Sequence, residues 1–181
     1  MKTTNLAALT AFLCLAFVSA RADDKPDMKP YEGTKEFQQI KALEGHWEGT
    51  SSEGMDPKAK PQKITVDYHV TSGGSAVVET LFAGTPHEMV SVYHDDNGQL
   101  SMTHYCMMHN QPHMVLAKSA DPGLFLVAVP DGNLDMQSCH MHSVKLEMPA
   151  SDKLVQKWTS YDGGKEKGTS MFAFARSPSA K

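Results

Sequence analysis

Two short segments of this chain carry side chains that ligate metals or move protons: His104-Tyr105-Cys106 and His140-Met141-His142. In an extended chain residues i and i+2 share a face, so each segment aims two donors in one direction. The alternate positions are Ser101 and Thr103 in the first stretch, and Ser143, Lys145 and Glu147 in the second. Solvent claims that charged set, and the imidazoles and thiol are expected to point inward with Met102, Val144 and Leu146. Such groups are costly to bury without partners. A zinc ion would satisfy imidazole nitrogen and thiolate sulfur in tetrahedral geometry, so His104, Cys106, His140 and His142 are the expected metal ligands. Copper suits the same donors, with Met102, Met107, Met108, Met114 and Met141 close by in sequence as soft ligands. Spacing alone does not choose between the metals, and plastic core filling accounts for most of the twelve methionines.

Two other classes compete with the metal. One is a cavity for a small apolar molecule without metal, lined by Val66, Tyr68, Val144 and Leu146. The other is a structural cluster in which the His and Cys side chains hydrogen-bond with Tyr105, Asn110, Gln111 or Glu79. Cys106 and Cys139, the only cysteines after Cys14, raise a disulfide in an exported chain. Strict alternation opposes that bond, because Cys139 precedes His140 and would face away from Cys106 unless a bulge or loop intervenes. No CxxC, HExxH, EF-hand loop, GxSxG elbow, phosphate loop or dinucleotide fingerprint is present. Binding is therefore expected rather than turnover. A metal-dependent enzyme requires that only three of the four ligands bind and that Glu79 or His113 faces the open position.

The elements that position these residues are strands. Short β-type runs start at Trp47, Lys63, Ser75, Glu88, Gln99, Gln111, Leu124, His140, Lys153 and Gly168. Turn chemistry separates them, including Ser72-Gly73-Gly74, Asp95-Asp96-Asn97-Gly98, Asp121-Pro122-Gly123, Pro130-Asp131-Gly132-Asn133 and Asp162-Gly163-Gly164. Thr34 can cap a short helix with Phe37, Ile40 and Leu43 as its apolar stripe, suited to closing one end. The expectation is an all-β, ten-stranded antiparallel up-and-down barrel with a short N-terminal helix, which leaves no open edge. A two-layer sandwich is the competing architecture. In a meander, strand parity gathers His87, His104, His109, His113, His140 and His142 at one mouth and sends His46, His69 and His94 toward the other. Glu79, His87, His113, Tyr105, Asn110, Gln111 and Trp158 are the expected mouth-lining residues.

Residues 1–22 have the form of a cleavable secretory signal: Lys2, an apolar run from Leu6 to Val18, and small residues around Ala20-Arg21-Ala22. That run falls short of the roughly 20 residues that span a bilayer. The mature chain is thus expected to be periplasmic or secreted, with a loose segment at 23–33, one domain at 34–176 and a loose tail at 177–181. Removing Lys2 and Arg21 from the seventeen basic residues leaves fifteen against twenty-one acids, a net charge of −6. An acidic chain without a Lys/Arg cluster is a poor partner for nucleic acid or an anionic membrane, which leaves a metal ion or small molecule. Oligomeric state is not written in it.

Leu43-Glu44-Gly45-His46-Trp47-Glu48-Gly49 resembles the first strand of calycin-like barrels, in which a Trp beside Gly packs across the barrel floor. His87 to His94, Thr103 to Cys106, Asn110-Gln111-Pro112 and His140 to His142 resemble segments of small bacterial lipocalin-like proteins of unknown function, many of them exported. The likeness runs from about Lys35 to Arg176 and implies a barrel without implying an activity. The nearest family of known role is the haem-binding nitrobindin-like barrels. Their haem-ligand motif has no counterpart here, so haem is a weaker expectation than zinc or copper.

Overall fold

The computed structural model describes residues 29–52, 60–120, 123–132 and 134–178. The expected signal segment, most of the N-terminal loose segment and residues 179–181 lie outside them. The turn chemistry and alternation produce ten strands: β1 (Gly45–Ser52), β2 (Lys63–Thr71), β3 (Ala76–Leu81), β4 (Met89–Asp96), β5 (Gln99–Tyr105), β6 (His113–Ala120), β7 (Gly123–Ala128), β8 (His140–Ala150), β9 (Lys153–Asp162) and β10 (Lys165–Arg176). Each pairs antiparallel with its neighbour in sequence, and β10 pairs back onto β1 to close the barrel. The sandwich alternative is thereby overturned.

Two tight hairpins set much of the register. Asn97 and Gly98 both take positive φ between β4 and β5, as do Gly163 and Gly164 between β9 and β10; a two-residue turn of that form matches the twist of the strands it joins. At the seam, Gly49 pairs with Phe174, and a Cβ there would lie 2.1 Å from the Ala173 carbonyl oxygen. Closure therefore demands glycine at this position.

The foot of the barrel, where β1 begins and β4 ends, is sealed by the helix α1 (Lys35–Lys41). Thr34 caps it by accepting from the Phe37 amide (3.1 Å), and donates its own amide and hydroxyl to Asp95 at 2.7 and 2.8 Å. Phe37 and Ile40 are wholly buried. The Trp47 indole donates to the Leu43 carbonyl (2.8 Å) while the Arg176 guanidinium lies over its ring and donates to the Ala42 and Glu44 carbonyls. Tyr31, within the segment expected to be loose, is anchored by its amide on Gly73 and its hydroxyl on Asp95.

At the head, residues 106–112, 129–132 and 134–139 fold inward. Cys106 and Leu134 join the core, with Met108 and Met136 packed against it. Asn110 joins the loops through its side-chain donation to the Cys139 carbonyl (2.9 Å), and the Gly163 amide donates to the Gln137 carbonyl (2.9 Å).

Candidate functional site

Apolar side chains fill most of the barrel interior, yet one polar row crosses it. Tyr68 pairs with Glu79, Glu79 with Ser91, and Ser91 with His104, so four in-register residues on β2, β3, β4 and β5 share the inner face. All four are buried. Because the strands are staggered, the row climbs from Tyr68, opposite the first residue of β1, to His104, next to the last residue of β5. Tyr93, two places from Ser91 on the same face, donates its hydroxyl to Glu79 Oε2 (2.8 Å).

Strand β9 completes a belt from the far wall. Gln156 Nε2 donates to the Tyr68 hydroxyl (2.7 Å), and Trp158 Nε1 donates to Gln156 Oε1 (2.9 Å). The Trp158 ring lies 4.6 Å from the His104 ring, and His104 Nδ1 meets the Ser91 hydroxyl at 3.0 Å. Two belt atoms are left over: among the described residues neither Glu79 Oε1 nor His104 Nε2 has a hydrogen-bond partner. Burial pushes the Glu79 carboxyl up to about 7, against the opposing pull of the Tyr93 hydrogen bond and of the Tyr68 and Gln156 side chains. Burial also holds His104 down to about 4, so its imidazole is neutral at physiological pH. Tyr68 and Tyr93 are raised well above the usual phenol range, by burial first and the Glu79 charge second. The belt thus offers hydrogen-bonding atoms in a dry setting.

His140 and His142 do not join it. Between Met141 and Ser143 the pairing of β8 with β9 slips by one residue, so that Met141 faces Ser160 and His140 faces Tyr161. On β9 the inner set is Leu154, Gln156, Trp158 and Ser160, all buried; Tyr161 belongs to the outer set, and His140 with it. The inward orientation expected from alternation is corrected by this bulge, which turns Met141 rather than the histidines toward the core. His140 is nonetheless fully covered, with Nδ1 on the Ser138 carbonyl (2.8 Å) and Nε2 3.1 Å from His142 Nδ1. A carbonyl only accepts, so His140 Nδ1 carries a proton. With His140 neutral, Nε2 accepts from His142 and leaves a lone pair on His142 Nε2. The His142 ring stacks on Tyr161 at 3.9 Å, and burial followed by the His140 charge lowers its pKa.

The expected ligand set is therefore split by the barrel wall: His104 inside, His140 and His142 outside, and Cys106 in the turn after β5. Among the described residues no three His, Cys, Asp or Glu side chains come together as a metal site. Of the expected mouth-lining residues, Glu79 and Trp158 are in the belt. Tyr105, Gln111 and His113 instead line an outer cleft of about 480 Å³ with Thr103, Asp131 and Gly132. His87 is exposed in the β3–β4 connection and Asn110 joins the two head loops. His94, expected toward the foot, has its ring 6.5 Å from that of His113. Ser91, Tyr93 and Gln156 were not expected at the site. The Asn97-Gly98 hairpin is the signal that could have found Ser91, since a two-residue turn there sets it opposite His104.

No family model and no curated protein matches the sequence. Solved structures with the same fold do. A protein of unknown function from the DUF3598 family of Nostoc punctiforme superposes with a TM-score of 0.54 at 12% identity, over 76% of this chain and 49% of that one. Rv2717c from M. tuberculosis superposes with a TM-score of 0.53 at 12% identity, over 81% of this chain and all of that one. This chain spans about half the length of the Nostoc protein. At such identity the likeness establishes the closed barrel alone.

Proposed function

We propose that this protein is an exported barrel that binds a small organic molecule in its interior, with a hydrogen-bonding head at Glu79 and His104 and an apolar body among Ile64, Leu81, Met89 and Phe172. The observation that carries this reading is a pair of buried atoms on one inner row, Glu79 Oε1 and His104 Nε2, that have no partner among the described residues. Leaving a buried polar atom unpaired costs about 1–3 kcal/mol, and a ligand hydroxyl, amide or amine offsets that cost at both ends. Ile64, Leu81, Met89 and Phe172 are buried toward the head of the barrel, where an apolar body would lie. Binding is favoured over hydrolysis because His104 Nε2, where a third member would orient a Ser-His pair, has no partner among the described residues. Zinc or copper on His104, Cys106, His140 and His142 draws no support from a set divided by the wall.

The test is native mass spectrometry and elemental analysis of protein taken from its own compartment without tag or chelator, beside Glu79→Gln/His104→Gln and His140→Ala/His142→Ala variants. The expected result is an organic molecule on the wild type and the histidine-pair variant but absent from the belt variant. About one metal per chain, lost from the histidine-pair variant, would overturn the proposal in favour of the metal. A wild type free of both, which also takes up nothing from its host's small-molecule extract, would make the belt purely structural.

A further inference from the structure

Cys106 and Cys139 are the only cysteines among the described residues, and both are free thiols, one buried and one exposed. Strict alternation would turn them apart, but neither lies in a strand: β5 ends at Tyr105 and β8 begins at His140. Asn110 brackets the pair. Its carbonyl accepts from the Cys106 amide (3.1 Å), and its side chain donates to the Cys139 carbonyl (2.9 Å). The buried Asn110 Oδ1 has no partner among the described residues. Burial pushes the Cys106 thiol up, and neighbouring Cys139 adds to that rise. These cysteines lie at the head of the barrel, opposite the end that α1 seals.

We propose that Cys106 and Cys139 form a reversible disulfide that latches residues 106–112 to residues 134–139 over the head of the barrel. The oxidant is a disulfide-bearing thiol reagent, RSSR, as an oxidising compartment supplies. Exposed Cys139 gives up its proton and attacks one sulfur of RSSR, forming a mixed disulfide and releasing RS⁻. The Cys106 sulfur then attacks the Cys139 sulfur, losing its own proton and expelling the second RS⁻. The two protons and two RS⁻ leave as two RSH, and two protein thiols are oxidised for one disulfide reduced. Bond formation stands on the cysteines alone; its use as a gate on uptake rests on the interior binding proposed above.

The test equilibrates the full chain with excess oxidised glutathione or with a reducing agent, then alkylates free thiols and maps peptides by mass spectrometry. The expected product is a Cys106–Cys139 cross-linked peptide that disappears on reduction and in Cys139→Ser, with Tm raised by about 5–10 °C. Glutathione retained on Cys139, or both cysteines still free, would overturn the bond. Gating is read separately by the rate at which diethyl pyrocarbonate modifies His104, a probe that needs no natural ligand. That rate should fall roughly tenfold on oxidation of the wild type and stay constant in Cys139→Ser, as a closed lid requires. A formed bond with an unchanged His104 rate would overturn the latch while leaving the interior binding site to its own experiment.

Discussion

His104 and the His140–His142 pair come from segments that look alike in sequence and finish on opposite sides of one wall. His104 follows clean alternation on β5 and is buried against Ser91 and Trp158. His140 precedes a bulge at His142, and that one inserted residue leaves both rings outward by Tyr161. The inner imidazole is a dry neutral group with one nitrogen unpartnered. Its outer counterparts form a two-ring relay that starts from the Ser138 carbonyl. The same side chains thus acquire different chemistry from strand register alone.

Substitution at the two sites should separate them most widely. His104→Ala leaves a hole between Ser91 and Trp158 and is expected to cost about 3–4 kcal/mol in urea denaturation, whereas His142→Ala should cost less than about 1 kcal/mol. Equal losses would mean that both lie on one side of the wall.

The pH dependence sharpens the contrast inside the barrel. Glu79 is raised from 4.5 to about 7, so its contribution to stability is present below 4.5 and lost as pH rises through 7. His104 is lowered from 6.5 to about 4, so its contribution is present above 6.5 and lost as pH falls through 4. Each is worth about 3 kcal/mol across its window, and the two oppose each other. Between pH 4.5 and 6.5 their sum is nearly flat in the wild type. Glu79→Gln should therefore lose stability on acidification through that range and His104→Gln should gain it, measured as the difference between the two variants to cancel the other groups.

A smaller effect tests the bulge itself. Met141→Asp places a charge on the inner side and should cost about 2 kcal/mol, while the same change at His142 should be close to neutral. The finest reading is by nuclear magnetic resonance: His104 should stay neutral down to about pH 4, and His140→Ala should move the His142 pKa back upward by removing the neighbouring imidazole.

The ten strands and the capping helix were legible because their signals are local: alternation along each run, Asn97-Gly98 and Gly163-Gly164 at tight turns, and Thr34 ahead of an apolar stripe. The inward placement of Glu79, Trp158 and His104 was legible for the same reason. His140 and His142 were not, because His-Met-His-Ser-Val fits two registers. Val144 is inward in both, and only the pairing with Ser160 and Tyr161 decides which of residues 140, 141 and 142 follow it. Gln156 and Tyr93 were missed because their role depends on the opposite wall and the adjacent strand, information that closure of the barrel creates.

That closure also orders events in time. β10 pairs with both β9 and β1, so the last strand made must meet the first before the sheet loses its two free edges. Arg176, the final residue of β10, fastens the helix and β1 from that end. Such a sequence-distant contact places folding in the slow, millisecond-to-second class. Until residues 165–176 dock, the chain is an open sheet exposing two rows of unpaired backbone groups. Loss of β10 would therefore be felt first as aggregation during synthesis, before any question of binding arises.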